Sequence, residues 1–334
     1  MGREYNKSAL LAFYGKASMI EAETKEHKGD GMKKASLAIM ALALVLTACS
    51  GSKKAESTAE TGTASAETAA EGTEASNETA DKIEAAQTPS VAETVVLDRE
   101  GLKITAKELD MNGSLGPSLK LLIENGTEQN VTVQIRDMSV NGYMIAPLFS
   151  SAVGKGETKE DGVGFSPRAL KLSGIDTFAE LEFRFCVLDS ETLDKLYESE
   201  PITLRTSAAG GYQERFDDSG TVVYEGEGAK IVVKGPIEKE NGFGPGILLY
   251  IENKSDKKIA IHATDVTVND AVLEPIFSPE IAPGKHVIEA MTFFDNQLED
   301  SKINTVRKAA FKCLIVDAES SETVKETDLI QLKF

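Results

Sequence analysis

The sequence predicts an all-β fold of two tandem β-sandwich domains, from an internal repeat and a period-two pattern of apolar residues. Blocks of sequence return at a constant offset of 128 residues (249 − 121), so that 121–125 (LLIEN) returns as 249–253 (LYIEN). Over residues 116–150 the ungapped alignment has 12 identities in 35 positions. Two copies of about 110 residues each indicate tandem domains, because solenoid repeats are shorter and more numerous.

Each copy shows the alternation that is typical of half-buried strands. The segments that alternate are 102–109, 131–135 and 181–187 in the first copy and 230–234, 247–251, 259–261 and 311–316 in the second. Turn pairs such as Asn112-Gly113 and Asn125-Gly126 separate the runs. We therefore predict about seven strands per copy, the number found in an immunoglobulin-like sandwich of about 100 residues. Short helices are predicted near 166–172 and 296–303.

The N-terminal part reads as an export signal that ends in a lipobox. Two lysines, Lys33 and Lys34, precede an apolar run over 35–45, which leads into the sequence LTAC at 46–49. The run is shorter than the about 20 residues that a membrane span needs. We predict a lipoprotein signal peptide at 32–48, cleavage between Ala48 and Cys49, and a lipid on the Cys49 thiol. The protein would then be anchored on the extracytoplasmic face of a bacterial plasma membrane.

The flanking segments have no pattern that predicts a fold. Residues 1–31 carry acidic residues where a signal should be basic, so we interpret them as the product of a start assigned too early, with Met32 as the initiator. An unusually long n-region is the alternative. Residues 49–93 are predicted to be a disordered acidic tether of Ser, Thr, Ala and Glu. The first domain is predicted at 94–206, a linker at 207–220 and the second domain at 221–334.

Two motifs shared by the copies carry a resemblance to a known group. The motif at 121–125 is followed by Val140-Asn141-Gly142, and that at 249–253 by Val268-Asn269-Asp270. With the lipobox and the tether, the chain resembles Gram-positive surface lipoproteins with tandem immunoglobulin-like domains of uncharacterised function. The resemblance covers 95–206 and 221–334 and implies a β-sandwich without catalytic residues. Because Asp270 replaces glycine, we expect a different turn in the second copy.

Composition excludes several classes of function. The chain has 54 acidic and 36 basic residues, a formal charge of −18, which argues against a nucleic-acid partner. Outside the leader the only histidines are His262 and His286, which align with Gln134 and Thr158 and are expected on surface strands. No spacing supplies a zinc site or a catalytic set, so we predict no metal, no cofactor and no enzymatic activity.

Four polar residues recur between the copies: Asp137 and Asn141 in the first, and Asp265 and Asn269 in the second. One interpretation is a small polar or calcium site in each domain. The other is structural, since Asn and Asp bond nearby backbone and tolerate positive φ. We favour the structural interpretation.

The predicted function is that of a noncatalytic binding or interaction module on the cell surface. Its partners would be the lipid bilayer, through acylated Cys49, and an unknown envelope or extracellular component that contacts a sandwich edge or the loops. A structural or chaperone-like accessory of the envelope is the alternative. A hydrolytic enzyme is the weakest of the three hypotheses.

Overall fold

The all-β fold predicted from the sequence is confirmed in the computed structural model. The structure describes residues 88–114, 116–239 and 244–334, and these belong to one compact unit. Strands dominate, with two helices of six residues and one 3₁₀ turn at Ala209–Gly211. The predicted signal peptide at 32–48, the lipidation residue Cys49, the segment 1–31 and most of the tether lie outside the described residues.

The first repeat consists of two sheets of mainly antiparallel strands. One sheet has the order β1-β2-β3-β8-β6; in the other, β10 and β11 pair with β9, β9 with β4, and β4 with β5 and β7. The elements are β1 (Thr94–Arg99), β2 (Leu102–Asp110), β3 (Ser118–Asn125), β4 (Val131–Val140), β5 (Tyr143–Met144), β6 (Pro147–Leu148), β7 (Ser150–Val153), β8 (Thr158–Phe165), α1 (Pro167–Leu172), β9 (Glu180–Asp189), β10 (Lys195–Glu198) and β11 (Ile202–Arg205).

The second repeat has the same elements in the same order. One sheet contains β12-β13-β14-β19-β17 and the other contains β15 and β20 with their short partners. The elements are β12 (Thr221–Gly226), β13 (Ala229–Ile237), β14 (Gly246–Asn253), β15 (Ile259–Val268), β16 (Ala271–Val272), β17 (Pro275–Ile276), β18 (Glu280–Ile281), β19 (His286–Phe293), α2 (Asp295–Asp300), β20 (Lys308–Asp317), β21 (Thr323–Glu326) and β22 (Ile330–Lys333).

The repeat seen in the sequence therefore returns strand by strand. From β3 onward equivalent elements start 128 residues apart (246 − 118), except that β18, the equivalent of β7, starts two residues later. Before β3 they start 127 apart (229 − 102), because the loop before β14 is one residue longer. Each repeat has eleven strand segments and not the predicted seven. The extra segments arise where the chain crosses between the sheets: β5 and β7 pair with β4, whereas β6 between them pairs with β8.

Alternating apolar residues build the core of each sandwich, as the pattern predicts. Along β9 the side chains of Leu181, Phe183 and Phe185 are fully buried in the first core. Phe311, Cys313 and Ile315 on β20 do the same in the second. Both helices lie where the sequence predicts them, although α2 begins at Asp295 and ends at Asp300.

The two repeats share a sheet as well as a linker. β5 of the first repeat lies parallel to β19 of the second, with Tyr143 opposite His286, so that one sheet runs from β10 through β5 and β19 to β12. Three residues of the second repeat, Val232, Tyr250 and Ile288, belong to the core of the first. The repeats are therefore packed directly against each other within this unit.

The linker segment 207–220 lies against this junction. The Phe216 ring stacks on His286 at 3.6 Å between centroids. The backbone N–H of Asp217 donates to the Tyr143 hydroxyl at 3.2 Å, and Lys234 pairs with the Asp217 carboxylate at 2.8 Å. These contacts connect the linker to both repeats.

Candidate functional site

The shared asparagines Asn141 and Asn269 hold the loop that precedes the next long strand. The Asn141 Oδ1 accepts from the backbone N–H groups of Ala179 at 2.8 Å and Glu180 at 3.1 Å, and its Nδ2 donates to the Thr177 carbonyl at 2.9 Å. At the equivalent positions, Asn269 accepts from Arg307 and Lys308. These amides already bond the protein itself, and this geometry is what a structural role requires.

Asn269 makes the third bond of that pattern, to the Thr305 carbonyl at 2.8 Å, so the two copies match in these three contacts. The turn that follows it also matches. Asp270 has φ 74°, close to the 85° of Gly142, so the expected change of turn is wrong. Aspartate tolerates this conformation, and Lys308 pairs with its carboxylate at 2.6 Å.

The shared aspartates Asp137 and Asp265 form ion pairs with lysines. Asp137 accepts from Lys258 of the second repeat at 2.7 Å, and Lys258 also pairs with Glu280 at 2.9 Å. Asp265 pairs with Lys312 of its own repeat at 2.8 Å. Both aspartates have positive φ, 51° and 54°. Asp137 therefore contributes to the junction, while its equivalent does not.

His286 is not on the surface, contrary to the expectation for both histidines. It is buried because β5 and the linker cover the end of β19, and its Nδ1 lies 2.7 Å from the Tyr250 hydroxyl. Burial lowers the pKa of His286, with Glu252 raising it and Lys285 lowering it further. His262 remains partly exposed, 3.2 Å from Ser278 Oγ.

The outer face of the second repeat's first sheet is more apolar than that of the first repeat. Val232, Tyr250 and Ile288 lie side by side on three neighbouring strands, at the places of Thr105, Leu122 and Glu160 in the first repeat. The prediction that 247–251 alternates is wrong, because this segment is apolar throughout. A strand buried on both faces loses its alternation, so this run carries the same signal. Comparison of the copies position by position would have predicted the covered face from sequence.

The edge of β19 is open along its middle. Its backbone N–H at His286 donates outward to Gly142 at 3.0 Å, and β17 pairs with the other end at Thr292. Outward hydrogen-bonding groups recur every second residue in a strand. Ile288 and Ala290 therefore present theirs on the same side, and no strand of the described residues is paired with them there. The open stretch between His286 and Thr292 is about 20 Å long at about 3.3 Å per residue.

A cleft of about 570 Å³ runs along this open edge. We call it the junction cleft. One wall is α1 with Ser166 before it, a second is Met144 and Ala146 of the first repeat, and the third is β19 of the second repeat over residues 287–290. Its volume is in the range of known ligand sites, which are about 300–1,000 Å³. Both Ile288 and Ala290 are buried residues, and buried backbone groups in native proteins are normally paired.

The carboxyl group of Glu289 lies in the same cleft. Burial raises the pKa of Glu289, and Arg168 on α1 opposes that rise. Within the described part of the chain Glu289 has no hydrogen bond or ion pair. Glu289 is not among the site residues predicted from the sequence.

A second cleft, of about 650 Å³, lies at the same junction on the side of Asp137 and Lys258. Seven acidic and three basic residues line it: Asp137, Glu182, Glu198, Asp256, Asp317, Glu319 and Glu322, with Arg184, Lys257 and Lys258. Its charges are largely paired within the protein, as in Lys257–Asp317 at 3.0 Å. Among the residues that the structure describes, no group of three His, Cys, Asp or Glu side chains is placed to hold a metal ion.

The described cysteines are free and buried. Cys313 lies in the second core, where burial raises its pKa to about 12. Burial also raises the pKa of Cys186. Such thiols are poor nucleophiles, since reactivity needs the thiolate. Of the helices between residues 88 and 334, none has the length and apolar character needed to cross a membrane.

The fold and the junction cleft define an all-β sandwich protein with an open strand edge. No protein-family model and no curated protein matches the sequence. Among solved structures, the chain is similar to the YadV chaperone, with 13% identity over 64% of this chain and 92% of that chain and a TM-score of 0.23. A likeness of that size carries no argument about function.

Proposed function

We propose that this protein is a noncatalytic interaction module of the cell envelope that binds an extended segment of another protein along the open edge of β19. The observation that carries this proposal is the pair of outward backbone groups at Ile288 and Ala290, which face the junction cleft and are not paired with a strand of the described residues. An extended segment that adds to a sheet edge bonds such groups, and alternate side chains then enter the pockets beside the edge.

The cleft has the features that strand addition needs. The edge is bounded by β5 at His286 and by β17 at Thr292, so a segment can enter only between these two points. Ile288 belongs to the core cluster of the first repeat, and Val287 to that of the second. The docking surface is therefore fixed by both repeats, and it needs no movement of the sheet.

The N-terminal segments suit the same role. A lipid on Cys49 would hold the protein at the extracytoplasmic face of the membrane, and the tether of 49–93 would carry the sandwich away from the bilayer. A flexible chain of this length spans roughly 35–40 Å. The absence of recurring histidines between the repeats supports a noncatalytic role.

The test uses a synthetic peptide as the probe. The peptide is a fluorescent, capped heptapeptide that alternates threonine with valine, with lysine at its centre, and it is titrated into the full chain. Ala146→Trp should weaken binding at least about tenfold, because Ala146 is exposed in the cleft and the indole fills it.

Glu274→Trp is the matched control. Residue 274 is the equivalent of 146 in the second repeat (274 − 146 = 128), is exposed and does not line the cleft. This variant should bind the peptide as the unmodified chain does. Equal affinity of the Ala146→Trp variant, or no binding by the unmodified chain, would contradict the proposal.

The shared sheet favours one alternative, a structural accessory that acts as a rigid spacer. The repeats are joined by β5 and β19 and by ion pairs such as Lys285–Glu182 at 3.1 Å. A spacer would tolerate Ala146→Trp in cells and would lose its function when the junction is loosened. An interaction module would lose function in the first case.

A further inference from the structure

We propose that the segment bound in the junction cleft carries a cationic side chain, lysine or arginine, that pairs with the carboxylate of Glu289. This inference rests on the proposed function and specifies the chemistry of its ligand. It is carried by the position of Glu289 on β19 and by a comparison with the equivalent residue of the first repeat.

Glu289 projects to the core-facing side of an edge strand. It lies opposite Leu249 in the ladder with β14, between Val287 and Met291, which are both in the second core. The side chain is partly buried, and a hydrogen-bond donor or a cation would offset the cost of that burial. Among the described residues Arg168 acts on it through space, but none donates a hydrogen bond to it or forms an ion pair with it.

The first repeat shows how the same position is satisfied. Asp161 is the equivalent residue (289 − 161 = 128), and its Oδ2 accepts from Ser151 Oγ at 2.8 Å and pairs with Lys159 at 3.3 Å. In the second repeat residue 279, the equivalent of Ser151, is a proline, which has no side-chain donor. The acid is kept in both repeats, but its donor is lost only where the cleft lies.

An added strand would bring the missing donor to the right place. In antiparallel addition, the residue opposite Glu289 forms a non-hydrogen-bonded pair, in which side chains of the two strands are closest, with Cα atoms about 4.5 Å apart. Side chains directly opposite share one face of the sheet. A lysine or arginine at that position would therefore meet the Glu289 carboxylate.

One basic residue of the protein already acts on Glu289: Arg168 on α1, on the opposite wall of the cleft, opposes the rise of its pKa. Glu289 is partly buried, and burial raises its pKa; a cation in the bound segment would offset that cost.

A competing explanation is that Glu289 protects the edge. Inward-pointing charges on edge strands discourage unwanted pairing with other strands. The two explanations predict opposite effects of removing the charge, which makes them separable by one set of titrations.

The experiment compares two heptapeptides on the full chain at pH 7. Both alternate threonine with valine; one has lysine at its centre and the other has norleucine, which is similar in length and uncharged. We expect the lysine peptide to bind about tenfold more tightly, as for hydrogen bonds to a charged group. Glu289→Gln should reduce this preference to near unity, and Asp161→Asn, the matched change in the first repeat, should preserve it.

Each other result has a distinct meaning. Equal binding of both peptides by the unmodified chain overturns the inference and leaves the proposed function standing. Tighter binding of both peptides by Glu289→Gln also overturns it, because the carboxyl group would then act to prevent strand pairing at this edge. Binding of neither peptide overturns the proposed function and this inference together. The comparison of peptides on the unmodified chain does not depend on the folding of any variant.

Discussion

Tyr143 and His286 lie opposite each other in the parallel strand pairing that joins the two repeats. The His286 backbone donates to the Gly142 carbonyl at 3.0 Å, and its ring contacts Tyr250 of its own repeat and Phe216 of the linker. This single residue thus connects the first repeat, the second repeat and the linker. The stability of the junction should depend on the protonation state of the His286 ring.

Stability should decrease at mildly acidic pH because of His286. Burial lowers its pKa from the usual 6.5, so the unfolded chain binds this proton more tightly than the folded chain. The contribution is complete above about pH 6.5 and is lost as the pH falls through the lowered pKa. The free energy of unfolding, measured with denaturant between pH 5 and 7.5, should change less with pH in His286→Gln than in the unmodified chain. His262→Gln is the control. A pH dependence of the unfolding free energy that is the same in His286→Gln as in the unmodified chain would contradict this prediction.

Truncation of Tyr250 should destabilise both repeats. Tyr250 is buried and belongs to the core of the first repeat. Tyr250→Ala should lower the free energy of unfolding by about 3 kcal/mol, as for large-to-small changes in cores. Leu122→Ala, the equivalent change on the half-buried outer face of the first repeat, should cost about 1 kcal/mol or less. Equal losses of unfolding free energy in the two variants would contradict this prediction, since the junction would then add no stability.

Removal of Asn141 or Asn269 should destabilise the loop before β9 or β20. Asn141→Ala leaves two backbone N–H groups without their acceptor and places alanine at φ 52°, so we expect a loss of about 2–3 kcal/mol. Asn141→Gly relieves the backbone strain and should recover only part of it. If Asn141→Gly recovered all of the lost unfolding free energy, the contribution of Asn141 would come from its positive φ alone. Under the alternative of a calcium site, Ca²⁺ would raise the melting temperature of the unmodified chain and not that of Asn141→Ala; we expect no such difference.

The lipid anchor is tested by Cys49. Cys49→Ala should abolish metabolic palmitate labelling and release the protein from the membrane or leave its signal uncleaved. Deletion of residues 2–31, with a start at Met32, should leave export and labelling unchanged. Labelling that survives Cys49→Ala would contradict the lipoprotein hypothesis.

The fold was predictable because its signals are local or repeated. Leu181, Phe183 and Phe185 alternate within one strand, and the 128-residue offset identifies equivalent strands without any structure. The two helices follow from short local patterns, such as Ser166 before Pro167, where the serine Oγ caps the helix by accepting from Ala169. These features need no knowledge of how the repeats meet.

The junction and its cleft were not predicted because they depend on the docking of two folded repeats. The apolar residues Val232, Tyr250 and Ile288 carry a sequence signal when they are compared with the first repeat. Glu289 carries a weaker one, since only the replacement of Ser151 by proline in the second repeat marks it as different. The open edge of β19 has no signal in side chains, because it consists of backbone groups.

Amide hydrogen exchange at Ile288 and Ala290 tests the central claim most directly. In the free protein these two outward amides should exchange much faster than those of Val287 and Glu289, which point toward β14. Addition of the lysine heptapeptide should protect Ile288 and Ala290 and leave Gly162, the equivalent of Ala290 on β8, unchanged. Protection that does not alternate along β19, or peptide binding that leaves both amides in fast exchange, would contradict the strand-addition account.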